Sequence, residues 1–86
     1  MQITREDVAA KVRAYLRHEL PLRELVEWAE QAMNDGEFDS DRFDAIRDAV
    51  AKLGLADVKQ FGLTWEDCEA LLKRLGYSVR VDVVSA

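Results

Sequence analysis

The sequence predicts a mainly α fold, a compact three- to four-helix domain that ends in one C-terminal β-strand. Three observations lead there. Apolar residues recur at three- and four-residue steps through most of the chain, the repeat of one helix face. Residues that start or stop helices (Thr4, Pro21, Gly54, Thr64 and Gly76) punctuate those runs. Only after Gly76 does the period fall to two, where Val79, Val81 and Val83 alternate with Arg80 and Asp82.

The first helix is expected to follow Thr4, a good N-cap, with Glu6 and Asp7 in its first turn where negative charge is favoured. Val8, Val12, Tyr15 and Leu16 form its stripe, and His18 near its end reads as a partner for the helix dipole. Pro21 stops this helix and can open the next, because its missing N–H costs nothing in a first turn. Leu22, Leu25, Val26, Ala29, Ala32 and Met33 share one face of a second helix, with Trp28 at the edge of the stripe. The tight loop between the two predicts an antiparallel hairpin.

Asn34–Glu37 reads as a turn. A third helix is expected from about Asp41 to Leu53, with Phe43, Ile46, Ala49, Val50 and Leu53 inward and Gly54 as its stop. Leu55, Val58, Phe61 and Leu63 make the next connection too apolar for a free linker, so it is expected against the core. Thr64 and Asp67 form a short-side-chain capping box for the last helix. Trp65, Cys68, Leu71, Leu72 and Leu75 line that helix, and Gly76 stands where a left-handed residue is wanted. The strand that follows needs a backbone neighbour. Residues 1–4 can supply part of one, and the remaining edge is expected either to meet a second copy or a partner's strand or to stay solvated as the rim of a small intramolecular ribbon.

Eighty-six residues make a single helical domain over 1–86, and an apolar fraction of 49% is ample for one core. The single cysteine, Cys68, excludes an internal disulfide and suits a reducing compartment. With no basic-then-apolar leader and no run approaching the roughly 20 apolar residues of a membrane span, the expected location is the cytoplasm.

Charge is unevenly spread. The net charge is −5, yet residues 1–23 carry five basic and three acidic side chains while residues 24–48 carry nine acidic and two basic. Glu24 and Glu27, and then Asp44 and Asp48, fall on common helix faces, where like charges cost a few tenths of a kcal/mol per pair. An acidic surface is repelled by phosphate, so nucleic acid is not the expected partner; a basic protein surface is. The candidate interaction residues are Glu24, Glu27, Trp28, Glu37, Asp41, Asp44 and Asp48, together with Val79, Val81 and Val83 of the strand.

Catalytic, cofactor and metal patterns find no support. There is one His and one Cys, and neither a phosphate-cradling glycine loop nor a His-Glu-x-x-His motif. The acidic run Asp35–Asp41 fails as a calcium loop, because with Gly36 in the glycine position Arg42 occupies the place of the bidentate glutamate. No cofactor is expected, and the chain is read as not an enzyme. A helix-turn-helix with the last helix as reader would present Glu66, Asp67 and Glu69 to phosphates.

The stretch Tyr-Leu-Arg-His-Glu-Leu-Pro-Leu-Arg-Glu-Leu-Val-Glu-Trp-Ala-Glu-Gln-Ala-Met, residues 15–33, resembles the opening of small bacterial helical proteins, several of unknown function and some among toxin immunity and antitoxin proteins. Leu16, Leu22, Leu25, Val26, Trp28 and Ala29 carry the likeness. The resemblance implies a bacterial, cytoplasmic, non-enzymatic binding protein. The function expected is therefore a protein–protein interaction module, an acidic inhibitor or immunity-type protein that covers a basic surface. The alternative is a small dimeric regulator that turns Lys11, Arg13, Arg17 and Arg23 toward nucleic acid.

Overall fold

Among the described residues two short strands and four helices follow in the order β1 (Gln2–Ile3), α1 (Arg5–Leu16), α2 (Leu22–Asp35), β2 (Glu37–Phe38), α3 (Phe43–Gly54) and α4 (Trp65–Arg74). The structure, a computed structural model, describes residues 1–85. Two of the helices begin and end by the same local chemistry. Thr4 accepts from the Asp7 N–H at 3.2 Å while Asp7 accepts from the Thr4 N–H at 2.9 Å, and Thr64 with Asp67 repeats this at 3.1 and 2.9 Å. At the far end of α4, Gly76 takes φ 97°, Tyr77 N–H donates to Leu72 O and Gly76 N–H to Lys73 O, both at 3.0 Å. That is a Schellman stop. His18 fills the same position after α1 with φ 63°, Glu19 N–H donating to Ala14 O at 2.8 Å.

The parallel pairing of β1 with β2 sets Gln2 beside Glu37 and Ile3 beside Phe38. It brings the start of α1 to the end of α2, so the two helices run out and back, as the Pro21 turn predicts. Ile3 is buried, and Gly36 lets the strands approach: a Cβ there would lie 2.5 Å from Ala32 O and 2.9 Å from Ile3 Cγ1. The core joins Val8 and Val12 of α1, Leu25, Ala29 and Ala32 of α2, Ile46, Val50 and Leu53 of α3, and Cys68 and Leu75 from α4 and its end. The contact between α2 and α3 is the most extensive between elements. Lys52 meets Asp67 at 3.5 Å and Asp48 meets Arg74 at 2.9 Å, so α3 and α4 are antiparallel with an ion pair toward each end.

Several expectations are corrected. Among the described residues no strand forms after Gly76; residues 77–85 have no regular secondary structure, and the strand pair involves residues 2–3 instead. Residues 2–3 do enter a ladder, but their partner is Glu37–Phe38 in the predicted turn rather than the C-terminal segment. Of the three alternating valines only Val79 packs on the core, while Val81 is 62% and Val83 94% exposed. Helix α3 starts at Phe43, not Asp41, because Arg42 adopts the left-handed conformation at φ 61° and ψ 36°. Gly54 is its last residue rather than a residue beyond it. Phe43 and Met33 lie on the solvent side of their helices, and Trp65 at the head of α4 is also exposed. The 55–63 connection touches the core through Ala56 and Leu63, leaving Leu55, Val58 and Phe61 exposed. Among the described residues no helix is long and apolar enough to cross a membrane.

Candidate functional site

The end of α4 organises the exposed surface. Arg5, at the start of α1, donates to Leu75 O at 3.2 Å, and Arg42, just before α3, donates to Arg74 O at 3.1 Å. Carbonyls that a helix end leaves without partners are thereby satisfied from two other elements, with positive charge at the negative end of the dipole. The Arg5 guanidinium also lies 5.3 Å from the centre of the Tyr77 ring, which holds the first residue of the tail in place.

From there the tail runs along a groove of about 730 Å³ between itself, α1 and α4. Leu16, Leu72, Trp65 and Tyr77 supply apolar lining, and Arg13, Arg17 and Arg80 supply charge. A smaller trough between α3 and α4 has Ala45, Ala49 and Ala70 in its lining and carries the two interhelical ion pairs.

The acidic residues singled out in the sequence do not act alike. Glu24 and Glu27 are exposed on α2, as is Glu30, and Glu27 faces Arg23 at 3.9 Å. Trp28 is half-buried, with the Lys11 ammonium 5.7 Å from its ring centre. Glu37 is exposed on β2, and Asp41 is exposed in the turn, where its N–H donates to Asp39 at 3.4 Å. On α3 the carboxylates are largely neutralised at home: Asp44 lies 3.5 Å from Arg47, and Asp48 lies 3.3 Å from Arg47 and 2.9 Å from Arg74. The hydrogen bond from Arg74 holds the Asp48 carboxyl below its usual range.

Cys68 is buried, and desolvation pushes its thiol up to about 11, so it packs as an apolar group. His18, the single histidine, sits exposed in a helix stop. Among the described residues no group of three His, Cys, Asp or Glu side chains comes together as metal ligands would.

The structure thus brings Val79, Val81, Arg13 and Arg17 to one groove, while Glu24 and Glu27 stand on α2, Asp44 pairs within α3 and Asp48 ties α3 to α4. Arg5 and Arg42 were not legible as capping residues, since nothing in their local sequence marks a carbonyl at the end of another helix as their target. No protein-family model, curated protein or solved structure matches this chain.

Proposed function

We propose that this chain is a non-enzymatic protein–protein interaction module whose α2 carboxylates meet a basic surface on another protein. The observation that carries the proposal is the exposed row Glu24, Glu27 and Glu30, in which Glu24 and Glu30 have no ion-pair partner among the described residues. Like charges at this spacing weaken a helix by a few tenths of a kcal/mol per pair, and only Glu24, in the first turn of α2, gains from the helix dipole, so helix stability does not account for Glu27 and Glu30. Inhibition by covering a basic site is the specific form of the proposal, in keeping with the immunity-type proteins that residues 15–33 resemble, and it places the protein in the cytoplasm.

One observation favours a second reading. Arg13, Arg17 and Arg80 share the groove, which suits an anionic chain and so the nucleic-acid regulator. Lys11 and Arg23 do not join them; they are engaged with Trp28 and Glu27.

Affinity capture from a cell extract of the source organism, at about 0.05 M and about 0.3 M salt, separates the two. The expected result is a strongly basic protein, held at low salt and lost when Glu24, Glu27 and Glu30 are all changed to Gln. Capture that is indifferent to this triple change overturns the acidic-face reading. Retention of nucleic acid that disappears with Arg13→Ala and Arg17→Ala supports the regulator instead.

A further inference from the structure

We propose that the tail, residues 78–84, pairs with the same segment of a second copy as an antiparallel two-stranded ribbon centred on Val81. The observations begin with the backbone. None of the N–H or C=O groups of residues 78–85 is bonded to another backbone group among the described residues, although the segment alternates as a strand does. Val81 and Val83 spend their apolar area on solvent, and an exposed unpaired edge with such a pattern is a template for strand addition.

The charge pattern selects the occupant. In an antiparallel pair centred on Val81, Arg80 stands opposite Asp82 of the other copy, and the two-fold axis repeats that contact on the other side. Val79 then faces Val83, and Val81 faces Val81, so one face of the ribbon is wholly valine. Shifting the register by two residues sets Arg80 against Arg80 or Asp82 against Asp82. Shifting it by one sets valine against charge and mixes the faces. A parallel in-register pair stacks like charges. The segment is complementary to itself in one arrangement.

Within a single chain the Arg80 and Asp82 side chains meet only at 3.8 Å with both well exposed, a contact worth too little to compete. Because Val79 packs on the core, the pairing carries Val83 of the other copy to the core margin. A strand laid along the groove-side edge of the tail enters the space bounded by Leu16, Trp65 and Tyr77. That added burial is what the ribbon requires, since two strands alone are marginal in water.

Charge exchange tests the proposal independently of any other partner. Sedimentation over a range of concentrations should show a dimer for the wild type, and monomers for Arg80→Asp and for Asp82→Arg taken singly. Mixing the two single variants should restore a dimer, and so should the double exchange Arg80→Asp with Asp82→Arg, which returns opposite charges to facing positions. The helical circular dichroism signal of all variants should be unchanged, because the tail contributes no helix. A monomeric wild type at the highest concentration reached, or single variants that dimerise as the wild type does, would overturn the inference. Restoration by mixing without restoration by the double exchange would overturn the antiparallel register.

Discussion

Arg5 Nη1 donates to the carbonyl of Leu75 at 3.2 Å across 70 positions of sequence, tying the start of the first helix to the end of the last. Gly76 is what makes room for it. A Cβ at this position would stand 2.6 Å from Arg5 Nη1 and 2.9 Å from Arg42 Cζ, at a φ of 97° that side chains rarely adopt. Gly76→Ala should therefore cost about 1–2 kcal/mol from the backbone alone, and Arg5→Ala about 1 kcal/mol from the lost hydrogen bond. In urea unfolding the double variant should lose less than the sum, because removing Arg5 vacates part of the space the new methyl needs. Strict additivity would mean that the two residues are not coupled.

Burial separates residues that look equally apolar in the sequence. Leu75 is fully buried and Leu75→Ala should cost about 2–5 kcal/mol. Phe61 is 59% exposed, and Phe61→Ala should change stability by no more than about 0.5 kcal/mol. Denaturation midpoints in the reverse order would place the 55–63 connection in the core after all.

Among the described residues His18 and Arg42 are the two non-glycine positions with positive φ, and they should respond differently to glycine. His18→Gly relieves the left-handed conformation, with a net gain of up to about 1 kcal/mol once the looser unfolded chain is counted. Arg42→Gly relieves the same strain but removes the donor to Arg74 O, so no gain is expected. Thermal melting of the two variants reads the difference directly.

Cys68 and Asp67 set opposite pH limits. The Cys68 thiol is raised by burial to about 11, so the stability it contributes is complete below the unfolded value near 8.5 and is lost as pH rises through about 11. Asp67 is lowered, chiefly by the hydrogen bond from the Thr64 backbone, so its contribution is present above roughly pH 3.9 and is lost as pH falls through the folded value. At pH 8 a thiol reagent should modify Cys68 at a rate that follows opening of the fold. Fast modification of the native protein would show the thiol to be accessible.

Much of the helical part was readable because its signals are local. Thr64 with Asp67, and Gly76 after Leu75, require only neighbours a few residues away, and both fall where the spacing predicts. The alternation of Val79–Val83 predicts a strand, but alternation reports what a segment does once paired, and the pairing must come from outside it. The strand partner of residues 2–3 was hidden for the related reason that Glu37–Phe38 resembles a turn, and Gly36 becomes a strand neighbour only through contact with Ile3. Stripe edges misled in the same way. Met33 and Phe43 continue helical periods yet stay 47% and 43% exposed, Phe43 meeting only the edge of Phe38 from β2 rather than the core. For the candidate site, exposure of Glu24 and Glu27 follows from the helix face, but the pairing of Asp48 with Arg74 belongs to the packing of α3 on α4.

The parallel contact between Gln2–Ile3 and Glu37–Phe38 dictates an order of assembly. Both helices of the hairpin lie between the two strands, so the strands come within reach only after α1 and α2 have folded back on each other. Two residues on each side gain too few bonds to offset closing so long a loop beforehand. The clasp should then shut after the rate-limiting step of folding. In stopped-flow experiments Gly36→Ala would speed unfolding and leave the refolding rate nearly unchanged, as expected of a contact absent from the transition state. On the way out, residues 1–4 would detach first, before either helix of the hairpin opens.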